Sequence, residues 1–379
     1  MLCAVSRLWP ARSLLCATLP LLFLSDQPAD APLTATPVLA TQPVSTDPDD
    51  PAIWVHPDRP ERSLLLGTNK TAAPDGALYV FDLRGRVRQV IRGLDRPNNV
   101  DVEYGLRLNG QPVDIAVVTE RLQRRLRVYR ISPRTGQLQD ITSFGNTQVF
   151  TGEPGEQGAP MGIGLYRRPK DGAIFAIVSR KEGPTEGYLW QYRLQDDGRG
   201  RVAAVLVRKF GRFSGRGEIE AIAVDDPPGY VYYADEGDGI HKWYADPDHP
   251  DADRELAHFG KTGFQGDREG IAIYAQADGT GYVLCTDQLP GNSAYHLFRR
   301  EGEPGNPHDH SRTIRIVLGG ADETDGLDAT AVPLGRAFPG GLIIAMNSGK
   351  KNFLVFRPED FGLTARPAAL RGSRTKSHP

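Results

Sequence analysis

Seven acidic residues recur in one context along the chain. Asp49 and Asp50, Asp101, Glu220, Glu269 and Asp325 stand at or just before short β-prone runs, and Glu236 ends another. Carboxylates brought to one place cannot all stay ionised without a counter-charge. An oxygen-only ligand set points to a hard cation, and calcium accepts about six to eight oxygens in flexible geometry. The 8 histidines, His308 and His310 among them, show no ligand-like spacing, so zinc is not expected. Basic residues end the neighbouring runs: Lys70 in GTNK, Arg121 in VTER, Arg180 and Lys181 in VSRKEG. Cations facing hard metal ions suit a phosphate ester. The metals neutralise phosphoryl oxygens and activate water, while Lys and Arg hold the anion. Any one of these acids alone reads as a strand-end cap, and any one base as a solvated rim charge. Their shared position is what carries the chemistry.

The elements that must position them form a repeat. Between residues 32 and 362 helical periodicity is almost absent, and short apolar runs alternate with Gly, Pro and Asp. Each unit opens with a short strand: DPAIWV, NVDVEY, GIGLYR, IEAIAV, EGIAIY and DGLDAT. An apolar strand such as DIAVVTE or YVLCTDQ follows, then an aromatic one such as LYVFDL, LWQYRL or YHLFRR. An outer strand, for instance RVRQVI or TIRIVL, often completes the unit. Six such units of roughly 50–60 residues predict an all-β, six-bladed β-propeller with four-stranded blades. The segment TPVLATQPV, ahead of the first unit, is expected to join the last blade and close the ring. A β-sandwich pair or a β-helix is the competing architecture, and six matched units weigh against it. In a propeller, equivalent positions of the blades converge on one axis, so the acids should gather at one end of it.

Composition agrees with a globular, turn-rich chain: 379 residues, 42 Gly, 30 Pro and 24% charged. Residues 1–31 read as a secretory signal, with Arg7 and Arg12 before an apolar stretch from Leu14 to Leu24 and a small-x-small site at Ala29-Asp30-Ala31. A short N-terminal anchor is the other reading. Export to the periplasm or medium is therefore expected, with no stable membrane insertion after cleavage. Cleavage leaves Cys285 alone, so no internal disulfide is expected. Residues 363–379 read as a disordered basic tail. That tail carries a formal +4 and the folded middle −6, from a whole-chain value of −2, which gives a nucleic-acid partner no electrostatic support. A monomer is expected.

Several catalytic signatures are missing from the sequence. There is no GxxxxGK[ST] loop, no RHGxRxP run and no GxSxG elbow, and Cys285 lacks an Arg six residues on, where Gly291 stands. No covalent nucleophile stands out, so hydrolysis would proceed by direct attack of metal-activated water.

From about Asp49 to Phe361 the chain resembles the β-propeller phytases, the alkaline calcium-dependent phytases of bacteria. The resemblance rests on DDPAIW (49–54), TNK (68–70), NNVD (98–101), KEG (181–183), IEAIAVDD (219–226), ADEGD (234–238), DREGIAIY (267–274), GNSAY (291–295) and TDGLD (324–328). It implies a six-bladed propeller that binds several calcium ions at the top of the channel and removes phosphate from phytate or calcium–phytate. It further implies that Asp49, Glu220, Glu236 and Glu269 are calcium ligands around the cleavage site. Asp50, Asp101 and Asp325 would be further metal or channel acids. Lys70, Arg121 and Lys181 would hold phosphate, with Arg180 beside them. Three departures stand out. Met161 replaces the family's usual Tyr, Thr71 replaces a second Lys, and the GGADETDG loop is shortened, leaving Asp322 or Glu323 to substitute. Two other functions stay open at the level of sequence. One is a propeller lactonase or esterase using one calcium. The other is a non-catalytic, calcium-dependent propeller that binds a phosphorylated ligand or partner protein.

Overall fold

The computed structural model describes residues 31–363. The expected signal segment and basic tail lie outside the described residues but for their boundary positions. The rest is nearly all β and forms six sheets in a ring, a six-bladed β-propeller. The innermost strands of blades 1 to 6 are Pro48–Trp54, Pro97–Leu108, Pro160–Arg167, Ile222–Asp225, Ile271–Ala275 and Leu327–Thr330. Each blade runs outward through antiparallel neighbours.

The ring is closed from its N-terminal end. Leu39–Ala40 pairs antiparallel with Asn352–Phe356, supplying the outermost strand of blade 6. The sequence did not suggest a second attachment: Leu33–Thr34 lies parallel to Arg315–Leu318 and gives blade 5 a fifth strand. One leader therefore straps two blades.

Each strand alternates its side chains between the two faces of its sheet. Every blade is covered on both faces, so both sets must be apolar, which explains continuous runs such as ALYVFDL. The core consists of six apolar clusters, one in each gap between neighbouring blades. Gly67 shows how tight these gaps are: a Cβ there would lie 2.2 Å from the Phe353 ring of blade 6. Cys285 is buried and free. The innermost strands leave an axial cavity of about 500 Å³.

Candidate functional site

The second strand of each blade sets the site by its register. In four blades a hydroxyl near its end accepts a backbone N–H from the start of the innermost strand or the residue just before it. The pairs are Asp50 N to Thr68 Oγ1, Asn99 N to Thr119 Oγ1, Gly162 N to Ser179 Oγ and Gly270 N to Thr286 Oγ1, at 2.7–3.1 Å. In blades 1 to 3 the innermost strand bulges at this point. The residue after the hydroxyl turns away and holds a neighbouring loop. Asn69 accepts from Thr46, Glu120 from Asp95 N, and Asp287 from Gln265 N and Gly266 N. The next residue lies beside the mouth of the channel: Lys70, Arg121, Lys181 and Gln288, with Glu236 at the matching place in blade 4.

These residues meet the carboxylates expected from the sequence. Lys70 Nζ lies 2.7 Å from Asp49 Oδ1 and 3.5 Å from Asp325 Oδ2. Arg121 Nη2 lies 3.5 Å from Glu220 Oε1, and Asn98 Nδ2 donates to Glu220 Oε2 at 3.1 Å. Gln288 Nε2 donates to Asp325 Oδ1. Lys181 pairs with Glu218. Glu236, Asp267 and Glu269 each offer an oxygen within 4.8 Å of the others. Blades 1, 2, 3, 4, 5 and 6 thus all contribute to one mouth.

Crowding and burial shape the charge there. Burial, then Glu220, pushes the Glu236 carboxyl up to about 8. Burial raises Glu269 well above the usual range, helped by Glu220, Glu236 and Asp325. Asp49 is raised by burial, with Lys70 opposing. Burial opposes the proton on Lys70, but Asp49, Glu220 and Asp325 outweigh it and raise the ammonium. Lys181 is lowered by burial and by Arg121. The donor set fits a hard cation, and one observation is specific: Asn98 Oδ1, on the side chain that donates to Glu220, is buried with no hydrogen-bond partner. An oxygen atom so placed can coordinate a cation.

Three residues named from the sequence are placed differently. Arg180 occupies the outward-turned position after Ser179. It is 2% exposed, donates to Tyr188 O and Gly187 O, pairs with Glu153 at 3.1 Å, and stacks over Phe150 and Trp190. It is thus packed inside the blade rather than facing the mouth. Asp50 and Asp101 line the channel below it. Asp50 Oδ2 accepts from Val100 N at 3.0 Å and Asp101 Oδ2 from Leu165 N at 2.6 Å, each bridging to the next blade. Asp328 does the same with Ile53 N at 2.8 Å. Burial pushes Asp101 up to about 8 and Asp328 to about 7.

Sequence reasoning missed Asn98, Glu218, Asp267, Gln288 and Asp328. Asn98, Asp267 and Asp328 lie inside NNVD, DREGIAIY and TDGLD, and Gln288 follows from aligning Thr-x-Lys with Thr-x-Gln. Met161 is fully buried with its sulfur against the Arg121 guanidinium, and its backbone carbonyl accepts from Thr119 Oγ1. Asp322 Oδ1 accepts from Gly291 N, so it braces the shortened loop.

Six blades in a ring thus bring acids and basic side chains together at one mouth. The phytase family model matches residues 9–353. A 3-phytase of Bacillus subtilis (strain 168) is 33% identical over 301 residues, covering 79% of this chain and 74% of the relative. The chain belongs to the phytase family, and it is a phosphoric monoester hydrolase of the 3-phytase type. Among solved structures, BBS1N in complex with ARL6DN, soaked with lead, matches with TM-score 0.43 and 9% identity, covering 83% of this chain and 78% of that one. The mercury-soaked counterpart gives 0.42 and 11%, covering 84% and 78%.

Proposed function

We propose that this phytase removes phosphate from phytate, free or as calcium–phytate, in a calcium-dependent reaction at the mouth of the channel. The observation that carries the reading is the convergence of Asp49, Glu220, Glu236, Glu269 and Asp325 beside Lys70 and Arg121 at one mouth. Asp49, Glu220, Glu236, Glu269, Asp267 and Asp325 would hold several calcium ions. Calcium, when bound, supplies positive charge to the phosphoryl oxygens and activates water for attack. Lys70, Arg121 and Lys181 bind and orient the anion. Lys70 lies against Asp49 and Arg121 against Glu220. Calcium held by these acids would add the positive charge they need, and Lys70 and Arg121 would be the side chains that hold phosphate. Cys285 is buried within the blade 5 sheet and burial raises its thiol, so it is not a nucleophile for this site.

The reading extends to a monomer that is exported after removal of residues 1–31. No helix among the described residues is long and apolar enough to cross a membrane. The test is a count of bound calcium by equilibrium dialysis on chelator-treated protein. More than one ion per chain, with at least one lost in Glu269→Gln, is expected. Equal binding by the parent and the variant would remove Glu269 from the metal site.

A further inference from the structure

Two histidines 17 positions apart in sequence meet on blade 4, in a group distinct from Glu236, Asp267 and Glu269. Tyr233, His241 and His258 are cross-strand partners on three adjacent strands, Tyr230–Asp235, Gly239–Tyr244 and Ala257–Phe259. The histidine rings stack 4.1 Å apart at 16°. The turn between the first two strands brings Asp238 beside them, with His258 Nε2 3.1 Å from Asp238 Oδ2. Asp238, His241 and His258 each offer a ligand atom, and the three atoms lie within 4.8 Å of one another.

A second observation points to a ligand. The His241 side chain is 3% exposed, and its Nδ1 lies 2.5 Å from Glu255 Oε1. Its Nε2 is buried with no hydrogen-bond partner, and His258 Nε2 also lacks an aligned one. A carboxylate on one ring nitrogen fixes the tautomer, with Nδ1–H donating to Glu255. The other nitrogen is then left as a free lone pair, the arrangement that metal-ligating histidines adopt. Ring stacking accounts for the packing but leaves that lone pair without a partner in the interior.

We propose that Asp238, His241 and His258 form a second metal site, one that takes a divalent transition ion such as zinc. Two imidazoles and one carboxylate favour zinc or cobalt over calcium, which prefers oxygen alone. The nearly parallel rings must tilt for both lone pairs to meet one ion. His258 has room to do so, because it is 22% exposed and stands on the outermost strand of its sheet. Such an ion ties that strand to the turn 236–238, which also carries Glu236. Arg216 Nη2 already braces the turn by donating to Gly237 O at 2.9 Å.

The experiment is a calorimetric zinc titration of the chelator-treated chain in excess calcium, with cobalt absorption as a parallel readout. One equivalent of zinc should bind with a Kd of about a micromolar or tighter, and cobalt should give the intense visible bands of a low-coordinate site. His258→Ala should weaken binding about tenfold or more, and Asp238→Asn should weaken it too. The metal-free melting temperature and calcium-dependent phosphate release of His258→Ala should match the parent. Absence of stoichiometric zinc binding, or unchanged binding by His258→Ala, would overturn the site.

Discussion

At the scale of single residues, the mouth separates groups that a linear motif runs together. Arg180 and Lys181 are consecutive, yet the strand's two-residue period sends them to opposite surroundings. Arg180→Met should leave the KM for phytate near the parent value. It should cost about 3 kcal/mol of stability, because Glu153 loses its ion pair and the Phe150 and Trp190 faces lose their cation. Denaturant unfolding and steady-state kinetics check both halves. Lys181→Ala should do the reverse, raising KM about tenfold with calcium affinity nearly unchanged. Equal loss of both would make Lys181 structural. Glu269→Gln should lower phosphate release about a hundredfold or more at an unchanged circular dichroism spectrum. Acids at the strand starts were legible because they recur in register. Asp50 and Asp101 were drawn into the same set because sequence does not reveal depth along the axis. Their bonds to Val100 N and Leu165 N belong to the channel wall.

At the scale of elements, the boundary between loop and strand decides function. Glu220, Glu269 and Asp325 each stand two positions before the first residue of their innermost strand, whereas Asp49 and Asp50 lie within theirs. The repeat gave the strands but not this offset, which depends on bulges and on hydroxyl anchors across the sheet. Gly162 is one such dependency, since a Cβ there would lie 1.9 Å from Glu220 O. Gly162→Ala should displace Glu220 and cut phosphate release about tenfold or more, as a rate assay at saturating calcium would show. Blade 4 holds a pH-dependent element of its own. Lys242 Nζ donates to Pro307 O at 2.7 Å and faces His310 Nε2 at 3.0 Å, beneath Tyr230 and Tyr232 and near Asp225 and Arg300. Burial lowers it to about 7, with Arg300 adding to the shift and Asp225 opposing it. An unfolded lysine keeps its proton to about pH 10. Between those values the unfolded chain binds more protons, so this lysine makes stability rise with pH, and below about pH 7 that gain is gone. Lys242→Met should flatten the rise in denaturant midpoint from pH 7 to 9.5. A variant with the parent slope would show that Lys242 stays charged in the fold.

At the scale of the whole molecule, the ring is held by gaps between blades, and its closure depends on a short leader. The N-terminal strand on blade 6 was legible as a β-prone run preceding a complete repeat. The second strap on blade 5 was not, because a two-residue pairing leaves no periodic signal. Ala35 and Val44 enter the clusters between blades 5 and 6 and between blades 6 and 1. Thr41 Oγ1 accepts from Phe353 N at 3.0 Å. Removing residues 32–44 should therefore lower the melting temperature by about ten degrees or more, whereas removing residues 1–31 should not. The zinc site also belongs to this scale, since histidines that no spacing connects are joined by the pairing of two strands. The central claim is that the acid-lined mouth works only with calcium. Its most direct test is inorganic phosphate released from sodium phytate as calcium is raised from zero over chelator-treated protein near neutral pH. Release that starts with calcium and saturates is the predicted result; phosphate released at the full rate without calcium would contradict it.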